Sequence, residues 1–539
     1  MQLWLQDGPM RCHRERGLDS VDDTGPPLLR DPLLYGVALI AALLCAPFFR
    51  YLTSLADEGV FLHAATRILG GETIYRDFFE FLPPGSFLIV AAWMKLVGVG
   101  FASVRVLAIA VLAAIAALLY IAARLSSGSR FVATLIALVW VATLRGELVV
   151  INHHWFTTAA AMASAVSLLA ALQRAPRRGT FVIAGLFAGT AAMVTSTRGA
   201  LVCFAILGTC LTQPAVRGPL VRAIAGIAFF PAVMILYLVS RGVVGMAIED
   251  VIMSTARHYA TIQFVPFGHS AGRSDSVAVA FFPVTFALAG ATAAVTRGAI
   301  FRNSRFQASL ALAVAGLLGT YPRPDIEHIN FATPIAGPLL AFAVAELSGR
   351  VGRRTRVAVA VALIALCLAM RVGKVWNKTG DMMAAAASHT VPTARGPTQA
   401  SPGLWNAAFA NLVAEIARVP PGDAFFFYPY DPMLPYLTGR HHVADLDVLL
   451  TGYTTPEQFR ETCRRVVSEA QWVVVDYLWL NADFLRFVFP AMRDANAPER
   501  RRFGRTIATA FNNVVVRSWR FELRHRAVSV PKTLCDASD

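Results

Sequence analysis

The chain has 539 residues, 56% of them hydrophobic and only 15% charged, with a formal net charge of +15. A water-soluble protein carries roughly a quarter of its residues charged, so this composition excludes an ordinary soluble enzyme and points to a surface covered by lipid. The positive charge does not argue for a nucleic-acid partner, because the arginines cluster in short spacers between apolar runs, where membrane topology accounts for them.

Residues 1–31 mix Arg and Asp with prolines and lack the apolar stretch of a cleaved signal peptide. They read as a cytoplasmic segment, with the first membrane helix serving as an uncleaved signal. A membrane-crossing helix needs about twenty mostly apolar residues to span ~30 Å of hydrocarbon. Such runs lie at 32–49, 104–123, 131–145, 155–172, 180–197, 199–213, 222–240, 277–296, 307–320, 331–347 and 357–372. The apolar segment 84–99 contains Lys95 and interior glycines, and reads either as a further span or as a helix lying at the interface.

Charge decides between those two. Cytoplasmic loops carry the Lys/Arg excess. With 84–99 at the interface and the N-terminus inside, the inner loops hold Arg124 and Arg130; Arg174, Arg177 and Arg178; Arg217 and Arg222; Arg297, Arg302 and Arg305; and Arg350, Arg353, Arg354 and Arg356. No Asp or Glu accompanies them, and nearly every loop acid falls on the opposite side, in 50–103, 146–154, 241–276 and 321–330. The predicted fold is a polytopic α-helical membrane protein of about eleven transmembrane helices over 32–376, its first outer loop at 50–103.

After that domain, 377–403 is rich in Ala, Thr, Ser, Pro and Gly and reads as a linker. Residues 404–539 read as a small extracytoplasmic α/β domain. AFFFYPY (424–430) and WVVVDY (472–477) have the pattern of buried strands, PEQFRETCRRVVSEA (456–470) that of a helix, and NNVVVRSWRFELRHR (512–526) that of a strand pair or a long edge strand. DPMLPYLTGRHH (431–442) carries an Asp-Pro helix start and a Gly stop. Cys45, Cys203, Cys210 and Cys367 lie within apolar runs, whereas Cys463 and Cys535 fall in the outer domain and can pair if it faces an oxidising compartment.

The first outer loop, SLADEGVFLHAATRILGGETIYRDFFEFLPPGSFLIVAAWMKLVGVGFASVR (54–105), carries the most chemistry. Asp57 and Glu58 follow the first span at once. At such a boundary, partial desolvation and a neighbouring acid both raise a carboxylate's affinity for protons, which suits a general base or a divalent-cation ligand. The alternative is a helix start, with Ser54 capping and Asp57 favouring the helix dipole.

The order of an acidic pair, a helix, LxGGExxYRDF, Pro-Pro, an apolar segment with K-L-x-G and an Arg opening the next span resembles the GT-C class of membrane glycosyltransferases. Within it, the resemblance is to bacterial proteins grouped with protein O-mannosyltransferases, the aminoarabinose transferase of lipid A and the lipopolysaccharide-core galacturonosyltransferases. It covers about 30–130 and the overall plan of spans plus outer domain. It implies a catalytic role for the acidic pair, with the family's essential first-loop aspartate matched by Asp57 and Glu58 beside it. It also implies a juxtamembrane helix after Pro-Pro.

Further implications of the resemblance concern later loops. An acidic residue of the second outer loop commonly faces the first aspartate, often beside a metal. In RGELVVINHHW (145–155) that place falls to Glu147, His153 or His154, the usual Asp-Pro being missing. Those three are the candidate ligands of a divalent cation; polar residues at headgroup level beside Trp155 are the alternative. Arg198, in STRG, and Arg323 and His328, in YPRPDIEHIN (321–330), take the positions of groups that hold the donor phosphate. Snorkelling explains Arg198 equally, and an ordinary polar turn explains the second segment. The function so implied is transfer of a sugar from a polyprenyl-phosphate donor to a glycan, lipid or protein acceptor at the outer face of the cytoplasmic membrane. The rivals are a lipid-linked saccharide carrier or flippase and a non-catalytic envelope-assembly subunit.

Overall fold

A computed structural model of the chain describes residues 26–52, 54–144, 148–173, 179–213, 217–259, 262–272, 275–350, 365, 390–400, 404–492, 497–527 and 531–536. The predicted span 357–372 lies outside these residues apart from one position, as do Glu147 and the first part of the predicted linker. Every other predicted run coincides with a helix.

The chain begins with α1 (Pro32–Cys45), whose N-cap Asp31 accepts the Leu33 N–H. A two-residue strand, β1 (Tyr51–Leu52), leads to α2 (Asp57–Leu69) and α3 (Gly85–Val97). There follow α4 (Phe101–Ser127), α5 (Arg130–Thr143), α6 (His153–Ala171), α7 (Thr180–Val194), α8 (Ser196–Leu211) and α9 (Arg217–Arg241). A short α10 (Val244–Ile248) runs into a π-helix at Glu249–Tyr259. The membrane part continues with α11 (Ser276–Val295), α12 (Ser304–Leu318) and α13 (Ile326–Ser348).

Five of these helices, α4, α6, α9, α11 and α13, are long and apolar enough to cross a membrane. The α9 helix shows lipid-facing chemistry most openly, with Phe229, Val233, Leu236 and Val239 exposed. Its inner side packs on α7 so closely that a Cβ on Gly226 would lie 2.1 Å from the Val182 carbonyl oxygen. The α13 helix is the centre of the bundle, buried from Ile329 to Ala343. Trp155 belongs to the same core at 2% exposure, edge-on to Trp140 and Phe331, so it is no interfacial belt residue. On the side of the arginine-rich loops, Asp31 is fully buried and holds Arg124 at 2.6 Å and Arg130 at 2.7 Å, which ties together α1, α4 and α5.

The segment 390–400, within the predicted linker, forms β2 (Thr390–Val391) and β3 (Thr398–Ala400). β3 pairs antiparallel with β2 and parallel with β1, a small sheet that ties the start of the predicted first outer loop to the chain entering the C-terminal, predicted outer, domain.

That domain contains α14 (Leu404–Arg418), β4 (Phe425–Tyr428), α15 (Met433–Thr438), α16 (Pro456–Glu469), β5 (Trp472–Asp476), α17 (Ala482–Val488), α18 (Pro498–Ala510), β6 (Asn513–Arg517) and β7 (Phe521–His525). The strand order is β4-β5-β7-β6, with β4 parallel to β5 and the other pairs antiparallel. The α16 helix opens with Pro456 behind a Thr455–Gln458 capping box, and α15 stops at Gly439 in the left-handed region. Cys463 and Cys535 form a disulfide.

Candidate active site between the first outer loop and the outer domain

The adjacent acids of α2 have opposite fates. Glu58 points inward and is 5% exposed. Its carboxylate meets the Arg105 guanidinium at 2.8 Å and accepts the Ile151 N–H at 2.9 Å. Burial raises the Glu58 carboxyl above its ordinary value, and Arg105 and the Ile151 N–H oppose that rise. Arg105 also donates to the carbonyls of Tyr51 and Val149, so the pair pins the first outer loop and the segment before α6 to the start of α4.

Asp57 is exposed, and the α2 N-cap is Ala56, with no side-chain capping bond. The Asp57 Oδ1 instead accepts a hydrogen bond of 2.7 Å from the Tyr430 hydroxyl, a group of the outer domain. Gly59 makes that contact feasible. A Cβ there would lie 2.1 Å from the Met433 nitrogen, so only glycine lets the start of α15 rest on α2, where the Met433 N–H reaches the Leu55 carbonyl.

Around Asp57 stand aromatic groups from three segments. Tyr259 closes the π-helix, Tyr453 and Tyr430 come from the outer domain, and Phe81 comes from the first outer loop. Tyr453 lies 5.5 Å from Tyr259 and 5.4 Å from Phe489, and Tyr259 lies 4.9 Å from Phe81, between ring centroids. The Asp57 charge is felt by the hydroxyls of Tyr259, Tyr430 and Tyr453.

A polar chain continues from this cluster toward the membrane. Tyr453 accepts from Gln263, whose Oε1 accepts from Arg323 Nη1 at 3.1 Å. Arg323 Nε donates to Asp325 at 2.7 Å and its guanidinium covers the Phe489 ring. Asp325 caps α13 and also binds the His328 Nδ1 at 2.7 Å. Burial would raise the Asp325 carboxyl, but His328 and Arg323 overcome that and hold it below the usual carboxylate range. The His328 ring packs against His154 at 4.6 Å, and His154 against His153 at 3.8 Å. Adjacent residues of a regular helix diverge, yet these two rings lie side by side where Asn152 starts α6.

Arg198, on α8, is 1% exposed. Its Nε donates to the Gly319 carbonyl at 3.2 Å, while Nη1 and Nη2 are buried with no hydrogen-bond partner among the described residues. The Asp325 charge reaches it, and Thr195, just before α8, meets the His153 Nδ1 at 2.8 Å.

The structure therefore brings Asp57, Arg323, His328, His154, His153 and Arg198 into one polar run. Glu58 stands aside from it as the partner of Arg105. Among the described residues, no group of three or more His, Cys, Asp or Glu side chains is gathered as metal ligands. Glu147, the third candidate cation ligand, lies outside those residues. Sequence reasoning assigned no role to Tyr259, Gln263, Tyr430 or Tyr453; they are ordinary aromatic and amide residues in segments distant along the chain, and no local pattern marks them.

No protein-family model matches the sequence, and no curated protein matches it either. Solved structures do. ArnT from Cupriavidus metallidurans, bound to undecaprenyl phosphate, matches with a TM-score of 0.57 and 15% identity, over 92% of this chain and 98% of that one. The archaeal oligosaccharyltransferase AglB from Archaeoglobus fulgidus, in complex with an inhibitory peptide and a dolichol-phosphate, gives 0.52 and 11%, over 85% and 71%. The fold is that of the GT-C membrane glycosyltransferases. Arabinofuranosyltransferase AftD from mycobacteria is similar at a TM-score of 0.50 and 15% identity, over 94% of this chain but 40% of its own length. The GT-C likeness thus extends over both the helical bundle and the outer domain, and the chain is a multi-pass membrane protein.

Proposed function

We propose that the chain is an inverting glycosyltransferase that moves a sugar from a polyprenyl phosphate to an acceptor hydroxyl at the outer face of the cytoplasmic membrane. The observation that carries this reading is Arg198: two guanidinium nitrogens buried with no hydrogen-bond partner among the described residues. An uncompensated buried charge is costly, and an arginine fork suits phosphate oxygens. Arg323 and His328 lie in the same polar run, and one structural neighbour holds undecaprenyl phosphate.

In the reaction, the acceptor oxygen attacks the anomeric carbon as the bond from that carbon to the phosphate oxygen breaks. Asp57 takes the hydroxyl proton. The polyprenyl phosphate leaves with the bonding electrons, and Arg198, Arg323 and His328 stabilise its growing charge. Glu58 keeps Asp57 in place through Arg105 and does not touch the reactants. Glycan, lipid and protein acceptors all present a hydroxyl of the kind required.

Eleven crossings, an inner N-terminus and an outer C-terminal domain from 404 onward complete the proposal. The arginine-rich loops support this orientation, and so does the Cys463–Cys535 disulfide, which suits an oxidising compartment.

The test is Asp57→Asn in the full-length protein. Membrane insertion and melting temperature should stay near wild type, while sugar transfer from a polyprenyl-phosphate donor falls by about a thousandfold or more, as for loss of a general base with its electrostatic contribution. Transfer that survives intact would remove Asp57 from the mechanism and favour the carrier or assembly-subunit readings.

A further inference from the structure

We propose that Asp325 is a positioning residue that locks Arg323 and His328 together as a single anion clamp at the outer end of α13. This rests on the donor-phosphate reading above and adds to it the residue that assembles the clamp. Asp325 is 1% exposed, and both of its oxygens are committed. Oδ2 accepts from Arg323 Nε at 2.7 Å; Oδ1 accepts from the His328 backbone N–H at 2.9 Å and binds His328 Nδ1 at 2.7 Å.

Each bond decides what remains for a ligand. With Nδ1 turned to Asp325, His328 presents Nε2. Arg323 has Nε on Asp325, Nη1 on Gln263 and its plane over Phe489, which leaves Nη2 as the corner with no partner among the described residues. The backbone of the segment is held from outside as well. Val265 N–H donates to the Pro322 carbonyl, Gly268 N–H to that of Pro324, and Ile326 N–H to that of His269. The loop 262–272 thus lies along 322–326 and keeps the carboxylate where Arg323 and His328 both meet it.

The competing explanation is helix capping alone, because Asp325 is also the α13 N-cap. Asparagine separates the two. It caps a helix as well as aspartate does, but it is neutral and has one acceptor oxygen, so it cannot hold both Arg323 and His328 as a carboxylate does. Simple electrostatics would even predict that removing a negative charge tightens anion binding, so the sign of the effect is informative.

The experiment titrates undecaprenyl phosphate into the full-length protein in lipid nanodiscs and compares wild type, Asp325→Asn, His328→Ala and the double variant. Melting temperatures are recorded alongside. The expected result is that Asp325→Asn weakens binding by about tenfold or more with little change in melting temperature. The double variant should bind no more weakly than His328→Ala by more than the remaining Arg323 contribution, a clearly non-additive cycle. Asp325→Ser, another helix-capping residue, should show the same loss and guards against an asparagine-specific fault. With donor sugar present, the rise should fall on the donor KM more than on kcat. Unchanged or tighter binding in Asp325→Asn, or losses that simply add, would overturn the inference while leaving the donor reading intact. A wild-type protein that binds no undecaprenyl phosphate would remove both.

Discussion

Position 59 shows how one residue can hold a site together. Gly59 follows the acidic pair, and the missing Cβ is what lets Pro432 and Met433 lie against α2. Tyr430, two residues before Pro432, then reaches Asp57. Gly59→Ala should force α2 and α15 apart, at a cost of about 1–3 kcal/mol as for other overpacked contacts. The expected outcome is a lowered melting temperature with membrane insertion preserved, and sugar transfer reduced at least roughly tenfold. A variant with normal transfer would show that the Tyr430 contact is dispensable. The neighbouring acids make a related point: one carboxylate is spent on Arg105 and the other is presented outward, although they are adjacent in sequence.

At the scale of elements, the decisive junction is α2 against the outer domain. His63 of α2 binds Asp447 at 2.9 Å, beside the His442 ring, with Arg67 and the buried Glu80 close by. Burial alone would raise the Asp447 carboxyl, but His63, His442 and Arg67 pull it down to about 2. A carboxyl lowered on folding contributes stability that is complete above its unfolded value and is lost as pH falls through the folded one. The window is therefore from about pH 4 down to about pH 2, and the contribution is on the order of 2 kcal/mol. Asp447→Asn should lower the melting temperature at neutral pH and flatten its decline across that window. An acid profile identical to wild type would mean that Asp447 is not the titrating group. Loss of this junction would also carry away Tyr430 and Tyr453, so stability and activity should fall together.

At the scale of the whole molecule, the proposed site needs a particular orientation. Ser468 lies exposed on α16 of the outer domain, and Arg302 lies exposed in an arginine-rich loop. A cysteine placed at 468 should react with a membrane-impermeant thiol reagent in intact cells. One placed at 302 should react only after the membrane is opened. The reverse pattern would put Asp57 on the cytoplasmic side and end the proposal for an outer-face reaction. The exposed apolar residues of α9 and α11 match a lipid-covered bundle in either orientation, so labelling is the deciding measurement.

The sequence by itself determined what depends on composition and short-range periodicity. Low charge and apolar runs announced the helices, the Arg-rich spacers announced a topology, and alternation with turn and cap residues announced β4 to β7 and α16. Asp57, Arg198, Arg323 and His328 stood out as candidates because charged groups at membrane boundaries contrast with an apolar background, and the GT-C resemblance suggested their roles. Only the tertiary structure decided how the acidic pair is divided, that Cys463 meets Cys535, and that Tyr430 meets Asp57 from 373 residues away along the chain. It also decided that Asp325 joins Arg323 to His328 while capping a helix. The physical reason is that burial and partnership are properties of packing between distant segments. Neighbours along the chain share a local environment only until the fold turns one inward and the other out.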